Sequence, residues 1–396
     1  MFSKAQVKAV SGNTAAALGA ALSRPDVIAA YPITPQSSCV EYLADLVNNG
    51  AIDSNMVQVE SEHTAMSVVQ GAAAAGGRTF TATSAQGLAL MYEPYFRMST
   101  LRLPMVMGVA TRDMMSPGTV WSGQQDTMSV RDAGWMQVYV ENNQEILDMV
   151  IQGYRLAEDH DVLLPINVCY DGFFLSHLTE RIEIPALSEV DAFLPAFKPV
   201  ATLDPKNPIA LDPMTPGPLF IEYRKTHLEA MQVALDKLEV IDAEFAQKFG
   251  RKWGGAIECY RCEDADFVLL TIGSITGTAR VAVDKARERG LKVGLVKVRY
   301  MRPFPAAKLA AVLKGKQAWA AIDRSVCYGW NTGPLYMEAK AAAPGDAPSF
   351  SAIGGLGGAD VSLEDVTKVI DALAAYAGAG SARTGQQPVL WLEKPF

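Results

Sequence analysis

The feature that most constrains this chain is a twice-run alternation of short, continuous apolar segments with helical patterns, interrupted once by a proline-rich stretch. Asp26 to Tyr31, Arg78 to Thr83, Pro104 to Ala110 and Val162 to Tyr170 are apolar without alternation. Strands covered on both faces read this way, and they belong to parallel sheets flanked by helices. Between them lie helical patterns: Thr34 to about Asn49, Glu62 to Ala75, Ala85 to Met98, and Asn143 to Asp159, where Ile146, Met149, Val150 and Tyr154 share a face. Thr34 suits an N-cap, Pro35 a first helical residue, and Gly50 lies just past the expected end. Eight prolines then fall between Pro185 and Pro218, an extended crossing segment. A helix is expected from about Lys225 to Phe249, after which the alternation restarts. Asp266 to Ile272, Lys292 to Val298, Ala318 to Ile322 and Phe350 to Ile353 are strand-like, and Thr278 to Arg289 is helix-like. The expected fold is α/β, two domains with mainly parallel sheets, the second from about 258 to 377 with a tail behind it.

A chain of 396 residues supports this count, and its 49% hydrophobic and 20% charged composition is that of a soluble globular protein. With 43 acidic against 35 basic residues and no basic block, nucleic acid is not an expected partner. No apolar run approaches the roughly 18 residues that span a bilayer, so no membrane association is expected. Ser11, Asn13 and Thr14 interrupt the Ala-rich N-terminus, which reads as a strand and helix start rather than a signal peptide. The five cysteines, Cys39, Cys169, Cys259, Cys262 and Cys327, fit reduced thiols in the cytoplasm. They are too few and too scattered for several iron–sulfur clusters.

Three strings carry candidate chemistry, and each has a bland alternative. Tyr31-Pro32-Ile33-Thr34-Pro35-Gln36-Ser37-Ser38 takes a strand into a helix N-terminus, where free N–H groups and the Thr34 hydroxyl suit an anion. Equally, Thr34 caps its own helix. Glu62, in Val59-Glu60-Ser61-Glu62-His63, is either a dipole complement in a first turn or a buried carboxyl able to share a proton with a ligand nitrogen. His63 reads as a capping or packing residue, and no metal-binding spacing accompanies it. Arg112 follows a strand end, where ligands bind in parallel sheets, and offers a fork for a carboxylate. Its alternative is an ion pair with Asp113 or Asp126. Met114, Met115 and Trp121, on the following loop, either line a pocket or fill gaps.

Two further strings read as structural. Cys259-x-x-Cys262 lacks the second pair a zinc site needs. Gly354-Gly355-Leu356-Gly357-Gly358 permits close backbone approach to a phosphate or simply makes a turn, and it lacks the spaced acid of a dinucleotide fingerprint.

YPITPQSS at Tyr31 to Ser38, ESEH at Glu60 to His63, SAQGL at Ser84 to Leu88, Arg112 and DGFFLSH at Asp171 to His177 occur in order. Together they resemble the α subunit of the 2-oxoacid:ferredoxin oxidoreductases, the pyruvate:ferredoxin oxidoreductase family. VRYMRPFP at Val298 to Pro305 and the glycine cluster fit the second domain of that subunit. The resemblance implies a pyrimidine-type thiamine-diphosphate-binding domain over 1–185, the proline-rich crossing and long helix over 186–257, and a transketolase C-terminal-like domain with tail over 258–396.

It also implies oxidative decarboxylation of a 2-oxo acid, with coenzyme A as co-substrate. Glu62 would hydrogen-bond the pyrimidine ring nitrogen of thiamine diphosphate, with Pro32, Ile33 and Ser84 lining the cofactor. Thr34 and Arg112 would hold the substrate carboxylate, with Met114 and Trp121 in the substrate pocket. The Gly-Asp-Gly string that marks the diphosphate half is absent, the nearest being Tyr170-Asp171-Gly172. The resemblance therefore puts diphosphate and Mg²⁺ on a beta subunit, [4Fe-4S] clusters on iron–sulfur partners, a gamma subunit beside them, and ferredoxin or an NAD-reducing subunit as acceptor. Pyruvate and an aromatic 2-oxo acid such as phenylglyoxylate are the expected substrates. Keeping Thr34, rather than a second cation, argues against oxalate. A 2-oxoglutarate or indolepyruvate enzyme is the rival within the superfamily, and a non-catalytic scaffold that binds coenzyme A is the rival outside it.

Overall fold

The computed structural model describes residues 2–343, 345, 347–378 and 389–394. The part of the expected tail at 379–388 and 395–396 lies outside the described residues. Two large sheets carry the chain. The first has seven strands in the order Tyr300–Arg302, Met136–Tyr139, Ile166–Asp171, Val106–Thr111, Thr79–Thr83, Val27–Ala30 and Asn55–Gln58. All its pairings are parallel except the first. The second has six strands in the order Val389–Trp391, Ser349–Ile353, Ala318–Asp323, Phe267–Thr271, Val293–Val298 and Ile257–Tyr260, with only the last antiparallel.

The apolar runs form these strands because both faces are covered. Every residue of Val106–Thr111, Ile166–Asp171, Val293–Val298 and Ala318–Asp323 is buried. One face of the first sheet packs against the N-terminal helix Gly12–Ser23 and the helix Asn143–Ala157. These two meet closely at Gly19, where an added Cβ would lie 2.8 Å from the Val150 Cβ. The opposite face is covered by the helices Glu62–Ala74 and Tyr92–Thr100. An antiparallel pair, Gln6–Ser11 with Thr179–Ile184, closes the N-terminus onto the end of this unit.

Several elements differ from the sequence expectation, each for a local reason. The helix expected from Thr34 starts at Ser37, because Ile33 to Gln36 closes a turn in which the Gln36 N–H donates to the Ile33 carbonyl at 2.8 Å. Thr34 therefore caps nothing. Ala85 to Met98 is two helices, Ala85–Leu90 and Tyr92–Thr100, since Pro94 has no N–H to continue the ladder to Leu90. The long helix begins at Gly217, not Lys225; Pro218 sits in its first turn, and its early residues are exposed and carry no apolar stripe. Tyr300–Arg302 had no visible signal. It leaves the second sheet directly after Val298 and adds an antiparallel edge to the first.

The two sheets are held together by charge as well as shape. Lys297 and Arg299, both buried, bond the fully buried Glu145 at 2.7 and 2.8 Å. Asp171 accepts the Ser274 N–H at 2.9 Å and the Ser274 hydroxyl at 2.5 Å, and pairs with Arg324 at 3.1 Å. The Tyr-Asp-Gly string thus joins the two halves. Among the described residues no group of His, Cys, Asp or Glu is arranged to hold a metal ion, and no helix is long and apolar enough to cross a membrane.

Candidate active site

The candidate residues converge where the parallel strands of the first sheet end. The strand Val27–Ala30 runs into Tyr31 to Gln36, Thr79–Thr83 into Ser84, and Val106–Thr111 into Arg112. Glu62 is the first residue of the helix Glu62–Ala74, whose N-cap Ser61 accepts the Thr64 N–H at 3.2 Å. The apolar face that follows draws Glu62 down until only 6% of it is exposed. Burial pushes its carboxyl above the usual range, opposed by a backbone hydrogen bond. His63 is exposed and meets Glu93 at 3.3 Å on the surface, so it neither caps the helix nor packs in the core.

Gly87 explains how a second helix approaches Glu62. An added Cβ there would lie 2.7 Å from Glu62 Oε1 and 2.4 Å from Thr83 Oγ1. Its neighbour Gln86 meets Arg112, so two consecutive residues touch the two candidate groups. Arg112 is 6% exposed, and each of its three guanidinium nitrogens donates one hydrogen bond. Nε donates to the Thr119 carbonyl at 3.0 Å, Nη1 to the Thr34 carbonyl at 2.6 Å, and Nη2 to Gln86 Oε1 at 3.0 Å. All three acceptors are neutral. Neither Asp113 nor Asp126 forms the ion pair weighed above. Three of the five guanidinium N–H groups are used, which leaves two donors and an unneutralised charge. Burial lowers the Arg112 pKa, but a guanidinium stays protonated.

The remaining candidates divide by exposure. Ser84 is buried and donates its hydroxyl to the Ala110 carbonyl at 2.7 Å. Pro32 and Thr34 are exposed and Ile33 is half-buried. Met114 is half-buried, while Met115 and Trp121 are exposed at 58% and 51%. The Trp121 ring rests on Phe173, centroids 4.4 Å apart, and Phe173 stacks on His177 at 4.7 Å.

Around these groups lie buried polar atoms without protein partners. Gln36 Oε1 is one, while its Nε2 donates to the Ala82 carbonyl at 3.0 Å. Thr83 Oγ1 and Gln86 Nε2 are others. Native interiors rarely leave such groups unpaired, and a cluster of them suits a polar heterocycle more than a packed core. A raised carboxyl, a glycine cradle and orphaned amides together fit the pyrimidine end of thiamine diphosphate.

Two family descriptions match the chain in order. "Pyruvate flavodoxin/ferredoxin oxidoreductase, thiamine diphosphate-binding" covers residues 18–242, more than half of the chain, and "pyruvate:ferredoxin oxidoreductase core domain II" covers 265–366. The chain belongs to this oxidoreductase family. It is 46% identical, over 99% of its length and 96% of the relative's, to the alpha subunit of NADH-dependent phenylglyoxylate dehydrogenase of Aromatoleum evansii. It is 44% identical to the pyruvate synthase subunit PorA of Methanocaldococcus jannaschii, over 94% of this chain and 96% of that one. A 2-oxoglutarate:ferredoxin oxidoreductase from Magnetococcus marinus, solved with 2-oxoglutarate, coenzyme A and succinyl-CoA bound, shares the fold. Its TM-score is 0.72 at 22% identity, covering 92% of this chain and 65% of that chain.

Within this oxidoreductase fold, one residue weighed above only as an ion-pair partner of Arg112 has a different role. Asp126 is 1% exposed, and its Oδ2 accepts both the Ala85 N–H at 2.9 Å and the Arg112 N–H at 3.0 Å. It thereby ties the strand end bearing Ser84 to the one bearing Arg112. It also holds Ala85 at φ +40°, a conformation a non-glycine residue adopts only under restraint. Burial pushes its carboxyl up to about 7, against three backbone hydrogen bonds that lower it. No motif announces such a residue. Its one signal is an acid in the otherwise uncharged stretch 114–130.

Proposed function

We propose that this chain supplies the pyrimidine half of a thiamine diphosphate site and the substrate-carboxylate anchor of a 2-oxoacid:acceptor oxidoreductase. The observation that carries the reading is Gln86-Gly87, whose consecutive residues bring an unneutralised guanidinium and a raised carboxyl to one strand end. Glu62 would share its proton with the pyrimidine ring nitrogen, which burial favours by raising the carboxyl's hold on that proton. Thiamine diphosphate, when bound, supplies the carbon nucleophile that attacks the 2-oxo carbonyl. The two spare N–H groups of Arg112 would take the substrate carboxylate, oriented by Thr34, whose carbonyl already holds the guanidinium. Gln36 and Gln86 offer their unpaired amide atoms to the same space.

The acyl side of the substrate would face Met114 and the Trp121–Phe173 pair, an apolar wall suited to a phenyl or methyl group. Phenylglyoxylate and pyruvate are therefore the substrates proposed, with coenzyme A taking the acyl group. Diphosphate and Mg²⁺ would be held by a beta subunit. Iron–sulfur and gamma subunits would carry electrons to ferredoxin or NAD, because no group of His, Cys, Asp or Glu among the described residues is arranged to hold a metal ion and the five cysteines are too scattered for several clusters.

Two substitutions in the intact complex test this. Glu62→Gln keeps shape and assembly but removes the shared proton, and turnover should fall by orders of magnitude. Near-normal turnover would refute the role. Arg112→Ala should raise the Michaelis constant for every 2-oxo acid offered, since the carboxylate is common to all.

A further inference from the structure

The glycine cluster Gly354–Gly358 has no part in the roles above, yet it touches the loop that carries them. It follows the strand Ser349–Ile353 of the second sheet and lies against residues 113–124 of the first half. The Gly357 N–H donates to Asp113 Oδ2 at 2.5 Å, and the Gly358 N–H donates to the Ser122 carbonyl at 2.7 Å. The loop returns a bond from the Gln124 N–H to the Arg324 carbonyl at 3.0 Å. The contact leaves no room for a side chain on Gly358. A Cβ on Gly358 would stand 2.4 Å from Trp121 Cβ and 3.1 Å from Trp121 Cγ. Within the loop itself, a Cβ on Gly123 would fall 2.1 Å from the Asp113 carboxyl carbon, so the loop folds back on the acceptor of Gly357. Gly357 and Gly358 also have φ of +58° and +78°, which only glycine adopts freely.

Both ends of the loop are thus fixed by the second sheet, and both matter to the substrate. Asp113 directly follows Arg112, and Thr119, between the two fixed points, accepts from Arg112 Nε. Trp121, pressed by Gly358 on one side, leans on Phe173 on the other. We propose that the Gly357–Gly358 turn is a specificity-positioning element. It sets how far Trp121 stands from Arg112, and so how wide an acyl group the pocket accepts. The inference rests on the reading that Arg112 and the loop after it hold the 2-oxo acid.

The test is Gly358→Ala in the intact complex, with kcat/KM measured for pyruvate and for phenylglyoxylate. The new methyl must displace Trp121 or lift the turn from the loop. Either movement should change the ratio of the two specificity constants by about tenfold, the scale on which one misfitted methylene is felt. The change should lie mainly in KM, and the equilibrium affinity for thiamine diphosphate should stay the same. In a Trp121→Gly background, which removes the atoms that Gly358 spares, Gly358→Ala should have no further effect on the ratio. Should Gly358→Ala fail to assemble, Asp113→Ala removes the Gly357 acceptor and should move the ratio by itself. An unchanged ratio, or an equal loss for both acids, overturns the proposal. An Arg112→Ala variant with an unchanged Michaelis constant would instead overturn the underlying reading, whatever Gly358 does.

Discussion

Asp126 should make the enzyme less stable as the pH rises, and Asp126→Asn should remove that slope. The carboxyl is buried, and its pKa stands at about 7 against an ordinary 3.8. A folded-state value above the unfolded one means that the native protein holds the proton more tightly. The contribution is therefore complete below pH 3.8 and is lost as the pH rises to 7. Over the whole window the shift corresponds to roughly 4 kcal/mol at about 1.36 kcal/mol per unit. Between pH 5.5 and 8 the same linkage amounts to about 2 kcal/mol. The amide of the Asp126→Asn variant does not titrate, so the native complex should lose that much relative to the variant over the interval. At an unfolding entropy near 2.1 cal/mol/K per residue, this is a difference of about 2 °C in midpoint. Differential scanning calorimetry of the two complexes at both pH values reads it directly. Asp113, Arg112, Tyr139 and Cys169 are the neighbours with which Asp126 interacts, and all are common to both proteins. Curves that stay parallel from pH 5.5 to 8 would refute the reasoning. Activity should move oppositely: the amide keeps one acceptor oxygen for the three N–H groups of Ala85, Arg112 and Thr127, so kcat/KM should fall in the variant at pH 8.

Gly87→Ala should weaken thiamine diphosphate binding by about tenfold or more, because its Cβ would take the space of the Glu62 carboxyl; equilibrium titration of the apo-complex with the cofactor checks this. Arg78→Ala should cost about 3–5 kcal/mol in urea unfolding. It leaves the half-buried Glu158 without the guanidinium whose Nε and Nη2 now bond it at 2.6 Å.

The strands and most helices were legible because burial on two faces leaves continuous apolar runs, and one-sided burial leaves a stripe. Arg112 stood out because it follows such a run at a place where parallel sheets bind ligands, and Glu62 because it opens a helical pattern as a carboxylate in the first turn. What escaped the sequence depends on contact between distant residues. Asp126 acts through backbone N–H groups of Ala85 and Arg112, and a backbone donor has no side-chain identity to recognise. The glycine cluster reads as a phosphate loop or a turn until Ser122, more than two hundred residues away, is seen accepting from it. Thr34 misled as a cap because the N-cap pattern describes a helix start, and the turn at Ile33 to Gln36 delays that start by three residues.

The strand Tyr300–Arg302 has a consequence for how this protein is made. On the ribosome, six strands of the first sheet emerge well before it, and until it arrives the Met136–Tyr139 strand presents a bare row of N–H and C=O groups. Such an edge invites pairing with another nascent copy. A fragment ending before residue 300, however well its site is formed, would keep that edge for good. Attempts to express the thiamine-binding half alone should therefore carry the chain through Arg302 or expect inclusion bodies.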